Sequence, residues 1–369
     1  MPMINELAGW DFSLGTMPYG IRWRKTRRVA HHSLHPVAIK EYRPHIIKST
    51  RAFLKRLLND PDPSNIIPHI RHLAGETILS IAYGLQIQEE NDPYLEMSLE
   101  SGTTTVSVVS TCLQKIAEGT EDDTFTEEVI RDVAGTLFSA GSDTTVSIIA
   151  SCILGLIEYP EVLKKAQAQI DSVVMPGHFP EFEQETSLPY ISAIVYETLR
   201  WRDVAPTAVP HLLSTEDEYE GYRLPAGAII IANAWAMLHD ETIYPDPFTF
   251  NPDRFINPDT GQVDFARARD PSHACWGFGR RICPGRHMAF TSIWLAISSL
   301  VYVFDIEKAK EKVRVVGEDG IGREEERTVE LTHEYVSGLA VMPKPFKCVI
   351  KPRSKEKVDL ICEPLIQDD

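Results

Sequence analysis

A run that opens near Thr126 and ends at Pro160, carrying VIRDVAGTLFSAGSDTTVSIIASCILGLIEY, holds no proline inside it and starts with Glu127 and Glu128, acids suited to a helix N-terminus. Its length goes well beyond the roughly 11–12 residues of a mean globular helix. A helix of that size needs cover on most sides, so the remaining elements are expected to gather round it as a central member. Apolar residues at helical spacing mark those neighbours: IRWRKTRRVAHHSLHPVAIKEYR, PHIIKSTRAFLKRLLND, NIIPHIRHLAGETILSIAYG, PEVLKKAQAQIDSVV and LPYISAIVYETLRW. YEGYRLPAGAIIIAN, residues 219–233, reads as a hairpin of two short strands round Pro-Ala-Gly. The fold class is therefore mainly α with minor β, and with no internal repeat residues 1–369 read as a single domain.

With 369 residues, 43% of them apolar, the chain can bury a large core. Its 37 basic against 53 acidic residues give a net charge of −16, which disfavours a nucleic-acid partner. Six cysteines at 112, 152, 275, 283, 348 and 362 are too sparse for a disulfide framework, and no C-x-x-C pair suggests zinc. The longest uncharged apolar runs, 12 residues from Val146 and 16 from Ala289, fall short of the roughly 18 or more of a membrane span. The first twenty residues lack the pattern of a secretory signal.

The stretch WGFGRRICPGRH, residues 276–287, holds one thiol among glycines, a proline and three arginines. The apolar run behind it places a helix start at Pro284, with Cys283 just before it. Backbone N–H groups there would stabilise a thiolate and lower its pKa, which suits a nucleophile or a metal ligand. A buried cysteine beside a turn fits the same residues equally well.

The stretch as a whole resembles the haem-binding loop of the cytochrome P450 family, F-x-x-G-x-R-x-C-x-G, with Gly279, Arg281, Cys283 and Gly285 in register and Trp276 at the usual phenylalanine. By this resemblance Cys283 is the axial thiolate of haem b, iron protoporphyrin IX, pushing electron density toward O–O cleavage. Arg281 pairs with a haem propionate, and Trp276 covers the proximal side. AGSDTT resembles the family's oxygen-binding pattern: Ala140 and Gly141 leave room for dioxygen in a locally opened helix, and Asp143 and Thr144 relay protons. Trp23 and Arg27 match W-x-x-x-R and bind a propionate, and His211 in APTAVPH takes a position where a propionate partner often stands. Glu197 and Arg200 in YETLRW and Arg254 in PFTFNPDRF form the family's Glu-Arg-Arg network, to which a structural role falls. The other cations of RWRKTRR, a solvated basic face when read alone, would meet the acidic surface of an electron-donating reductase.

The resemblance, nearest to fungal microsomal members of secondary metabolism, implies a haem-thiolate monooxygenase. It would put one atom of O2 into a small apolar organic substrate, with electrons from NADPH through NADPH-cytochrome P450 reductase. No G-x-G-x-x-G turn of a nucleotide fold is present, as suits an external donor. Two other readings remain: an inactive remnant that at most binds haem, and an enzyme that rearranges an oxygenated substrate without a reductase. Family members reside at the endoplasmic reticulum membrane; the sequence as written starts close to the W-x-x-x-R helix, so a cytoplasmic or peripheral chain is expected. The first sheet strands and the A and B helices are likewise expected to be missing, leaving the edge of AIIIAN open. Only 56 positions separate Gly84 from Ala140, fewer than the family's F and G helices need, and SGTTTVSVVSTC reads as the seam of a shortened roof.

Overall fold

The computed structural model describes residues 3–60, 62, 64–85, 106–118, 124–316 and 322–363. Its helices are α1 (Ile21–Leu34), α2 (Arg43–Asn59), α3 (Ile66–Tyr83), α4 (Val108–Ala117), α5 (Glu127–Glu158), α6 (Pro160–Val173), α7 (Pro189–Trp201), α8 (Ala234–Leu238), α9 (Arg286–Val303) and α10 (Lys355–Cys362). The 32-residue α5 is the long element anticipated, capped by Thr126, whose hydroxyl accepts the Val129 N–H at 3.3 Å. Its most extensive contact is with α3, and α1, α4, α7 and α9 also lie against it. By length and composition α5 could cross a membrane, with a mean hydropathy of 1.5 over its most apolar window, yet 67% of that window is buried inside the fold. Uncharged runs alone do not reveal this length, because α5 keeps its apolar character across Asp143. A bidentate ion pair fixes α1 to α5: Arg22 Nε and Nη2 donate to the fully buried Asp132 at 2.9 and 3.0 Å.

The sheets are small, two strands each and all antiparallel. Strands at both ends of 219–233 are present, but they do not pair with each other. β2 (Asp217–Tyr219) joins β3 (Tyr222–Leu224), because Glu220 at φ 51° and Gly221 at φ 82° form the primed turn that a two-residue hairpin needs. β4 (Ile229–Ile230) joins β1 (His211–Leu212) instead, with Ile230 opposite His211. The expected open edge is there: Leu212, Ile229 and Ile231 are 70%, 68% and 59% exposed. Beyond α9, β5 (Phe304–Lys308) pairs β10 (Cys348–Pro352), β6 (Lys310–Val316) pairs β7 (Gly322–Thr328), and β8 (Tyr335–Val336) pairs β9 (Met342–Pro343). The seam reading falls partly on residues 101–105, outside the described residues. Its C-terminal part forms the start of α4, capped by Ser107.

The loop between α8 and α9 has few elements of its own, so something else must hold it. Glu197 and Arg200 on α7 and Arg254 on the 3-10 turn Pro252–Phe255 meet in one buried cluster. Arg200 Nε and Nη2 each donate to the Glu197 carboxylate at 2.8 Å, and Arg254 Nε donates to both its oxygens at 3.1 and 3.0 Å. The remaining guanidinium N–H groups donate to the carbonyls of Leu238, Pro245, Asp246, Pro247 and Thr249, and Glu197 also accepts the Asn251 N–H. The carboxylate accepts from both guanidinium groups and their remaining donors meet backbone carbonyls, the condition under which buried ions are tolerated. Glu197→Ala strands two buried guanidinium groups and is expected to destabilise the chain by about 3–5 kcal/mol, read as a lower urea midpoint; an unchanged midpoint would contradict the role given to the cluster.

Candidate active site

The cysteine loop is shaped by backbone first. Gly279 takes φ 59°, a left-handed conformation that side chains disfavour, and a short 3-10 turn over Gly279–Arg281 leads to Cys283. The Cys283 N–H donates to the Trp276 carbonyl at 2.7 Å, closing the loop on itself, while the Trp276 ring packs on the core. Helix α9 starts at Arg286 rather than at Pro284, with Gly285 as its cap, so its first N–H groups lie just beyond the sulfur. Those of Gly285 and Arg286 hydrogen-bond to Cys283 Sγ. A Cβ on Gly285 would sit 4.0 Å from that sulfur, in ordinary contact.

The expectation of a lowered thiol pKa is overturned. Burial pushes the Cys283 thiol above its ordinary value, and the two backbone N–H groups with the charges of Arg27 and Arg286 only offset part of it. In the chain alone the thiol therefore keeps its proton more tightly than a free cysteine does. Its neighbour Cys275 is pushed up further by burial and by Asp203 and Asp270.

The cations round the sulfur are not equivalent. Arg281 Nη1 and Nη2 donate to the Leu14 and Met17 carbonyls at 3.1 and 3.0 Å, and its guanidinium lies 5.0 Å above the Trp23 ring. The buried Trp23 donates its indole N–H to Leu14 as well, at 3.2 Å. Arg27 is half-buried beside Cys283 and has no hydrogen-bond acceptor among the described residues. Burial lowers its pKa, the Cys283 sulfur opposes that, and the charges of Arg286 and Arg281 add to it. His211 lies on β1, and no hydrogen bond of its ring joins it to this group among the described residues.

On α5 the motif is continuous helix, not the opened segment expected. Thr144 Oγ1 donates to the Ala140 carbonyl at 2.7 Å, the usual way a threonine settles inside a helix. Asp143 pairs with Arg71 of α3 at 2.9 Å, and Arg71 also reaches Met342 Sδ at 3.0 Å. Ala140, Asp143 and Thr144 are exposed, so that ion pair is of the weak, screened kind. Gly141 has a packing reason to be glycine: a Cβ there would meet Ile78 Cδ1 of α3 at 2.9 Å. Sequence reasoning placed Ile78 on the apolar side of this helix but did not name Arg71 or which helix that side meets, since no local pattern signals a partner so distant in the chain. A polar groove of about 700 Å³ lined by Lys165, Tyr190, Asp253 and Arg267 contains none of these residues.

Comparison with known proteins decides what this arrangement belongs to. The family description "Cytochrome P450" matches residues 96–328. The chain is 34% identical to "Cytochrome P450 monooxygenase 98" of Postia placenta over 418 aligned positions, covering 96% of this chain and 77% of that protein. This chain belongs to the cytochrome P450 family. It is likewise 34% identical to "Cytochrome P450 monooxygenase ple1" of Rhodocybe pseudopiperita, covering 97% and 77% of the two chains. With "Tryptamine 4-monooxygenase" of Psilocybe cyanescens the identity is 32%, covering 96% and 78%. The protein is thus a P450 monooxygenase, mainly helical with minor sheet, of a family that carries haem and uses a redox partner, O2 and an organic substrate. These relatives lend no support to an inactive remnant. An alignment of 418 positions against a P450 chain of 369 residues leaves at least 418 − 369 = 49 positions of the Postia relative facing gaps. The shortening read from the sequence is therefore at least partly internal.

One buried acid in this P450 went unremarked in the sequence. Asp203, 4% exposed, accepts the Ala205 N–H at 3.3 Å through Oδ1, its Oδ2 has no partner among the described residues, and burial raises its pKa to about 7 against the backbone N–H groups of Ala205 and Val204. An unfolded aspartate ionises near about 3.9, so between roughly pH 4 and 7 the folded state holds the extra proton and stability falls as pH rises. Asp203→Asn is expected to flatten that decline in urea midpoints; a parallel pH profile in wild type and variant would contradict it.

Proposed function

We propose that this P450 carries haem b with Cys283 as axial thiolate, and that electrons from NADPH reach it through a separate reductase to put one oxygen atom into a small apolar organic substrate. The observation that supports this most is the half-buried Cys283, its Sγ held by the Gly285 and Arg286 N–H groups and faced by the Arg27 guanidinium, which has no hydrogen-bond acceptor among the described residues. The donor set suits the group. Among the described residues no three His, Cys, Asp or Glu side chains converge on a point, so an iron at Cys283 would have to bring further ligands with it, as a porphyrin does. Arg27 offers the charge that a porphyrin carboxylate needs. When bound, haem supplies the activation of O2 and the transfer of one oxygen atom.

The chain's own residues do the rest. The two backbone N–H groups steady the sulfur's negative charge once its proton has gone, and the Trp276 carbonyl fixes the loop through the Cys283 N–H. Thr144, its proton spent on Ala140, keeps its oxygen free to accept a hydrogen bond on the helix face. Asp143, paired with Arg71 on the same exposed stretch of helix, is the carboxylate to which this reading gives the proton relay with Thr144. Arg24 and Arg28 on the exposed side of α1 give the reductase a basic surface. Residues 1–369 act as one domain, and association with the endoplasmic reticulum membrane belongs to the same reading.

In a reduced, carbon-monoxide-treated sample the purified chain is expected to show the red-shifted Soret band of thiolate ligation, absent in Cys283→Ala. Failure of the wild type to take up haem would sink the proposal. With reductase present, Thr144→Ala is expected to divert NADPH into peroxide; unchanged product per NADPH would remove Thr144 from proton delivery. Turnover with no NADPH consumption would favour the rearranging enzyme.

A further inference from the structure

The groove of about 700 Å³ that stands apart from Cys283 has the size of a small-molecule site, roughly 300–1,000 Å³. It is lined by residues of α6, of the start of α7 and of the stretch 245–268, and these hold one another in place. Tyr190, 2% exposed, donates its hydroxyl to Asp253 Oδ2 at 3.3 Å, and Lys165 pairs with the other oxygen of that carboxylate. Asn257 closes a tight loop: its Oδ1 accepts the Asp259 N–H at 2.9 Å and its carbonyl the Gly261 N–H at 2.8 Å, with Gly261 at φ 69°.

The lining can be sorted by which groups still lack a partner. Asp253 is occupied by Lys165 and Tyr190, and Arg254 by Glu197 and three backbone carbonyls. The Gln169 and Asn251 amides have their orientation decided for them. Gln169 Oε1 accepts the Tyr190 N–H at 2.9 Å and Asn251 Oδ1 the Asp253 N–H at 3.1 Å, so each NH2 group has no acceptor among the described residues. Arg267 gives one N–H to the Ile256 carbonyl at 2.6 Å and has no carboxylate at ion-pair distance among the described residues. Asp264, which senses the Arg267 charge from further off, gives its oxygens to the Ala266 N–H and to Asn257. Asp246 supports the charge of Arg254, in a cluster that holds two guanidinium groups to one carboxylate. What the groove leaves unfilled is therefore a set of donors, on Arg267, Gln169 and Asn251, with the Lys165 ammonium in the same lining.

We propose that this groove binds a small organic oxyanion, a phosphate or carboxylate compound, with Arg267 as its main charge partner and the Gln169 and Asn251 amides as further donors. An oxyanion accepts several hydrogen bonds at once and matches the planar guanidinium fork. A neutral apolar molecule would cover the same donors and fill none of them. An occupant touching both α6 and residues 251–267 ties them together, within the connection between α8 and α9 that leads on to Cys283. The site does not depend on the haem-thiolate reading.

The test is calorimetric titration of the purified chain at fixed ionic strength, with pyrophosphate and citrate as separate probes. It is repeated on Arg267→Ala, on Gln169→Glu, which keeps the acceptor for Tyr190 and replaces the donor by a negative oxygen, and on Arg223→Ala. Arg223, with 75% of its side chain exposed, lies outside the groove lining and removes the same charge. One probe molecule per wild-type chain is expected to bind; tighter pyrophosphate assigns the phosphate class, tighter citrate the carboxylate class. Arg267→Ala and Gln169→Glu are each expected to weaken binding about tenfold or more, and Arg223→Ala by less than about twofold. Melting of the two groove variants without probe is expected within about 2 °C of wild type, so that weaker binding reads the site and not the fold. Wild type that binds neither probe would overturn the proposal. So would binding untouched by Arg267→Ala, or equal weakening in Arg267→Ala and Arg223→Ala, which marks non-specific attraction.

Discussion

One carboxylate, fully withdrawn from water and accepting from two guanidinium groups, is the contact on which the rest of the molecule's chemistry stands. Glu197 alone would be ruinous at that depth, and so would Arg200 or Arg254; together they are satisfied, with their spare donors turned to the carbonyls of residues 238–249. Those carbonyls belong to a long stretch with little regular structure of its own. Over residues 238–251 the cluster therefore replaces the hydrogen-bonded ladder that a strand or helix would have provided, in the same connection between α8 and α9 that presents Cys283 further on.

Around the cysteine loop the contacts close on themselves. The Cys283 N–H is tied to Trp276, the sulfur to two backbone donors, and Arg281 to a turn that Thr136 anchors on α5. The α5 motif and the β4 edge are held differently. Ala140, Asp143 and Thr144 are exposed, Asp143 leans on Arg71, and the Ile229–Ile231 edge stands uncovered. Geometry at the sulfur is set by backbone hydrogen bonds among half-buried residues, whereas Asp143 rests on a screened ion pair.

What the sequence made legible follows the same division. The helices, the length of α5 and the order of the Trp23, Asp143, Glu197 and Cys283 motifs could be read because each is a local pattern with a local cause. Pairing could not: β4 was assigned to β3, since Pro-Ala-Gly looks like a hairpin turn, while the actual turn is the Glu220-Gly221 pair with both φ angles positive. Nor could competition between effects. A helix start argues for a low thiol pKa at Cys283, but burial, invisible in sequence, outweighs it. Gly141 was read as room for a ligand and turns out to make room for Ile78 as well, and Arg281, read by its motif, spends its donors on carbonyls that no motif names.

The central claim is that the Glu197 cluster, rather than local structure, holds the cysteine loop in place. Amide hydrogen exchange on the haem-free chain tests it, comparing wild type with Glu197→Gln, which keeps the side-chain shape and removes the charge. The account predicts that residues 238–285 lose protection selectively while α5 keeps most of its own. Loss confined to the turn of α7 around residue 197, with the cysteine loop as protected as before, would contradict it.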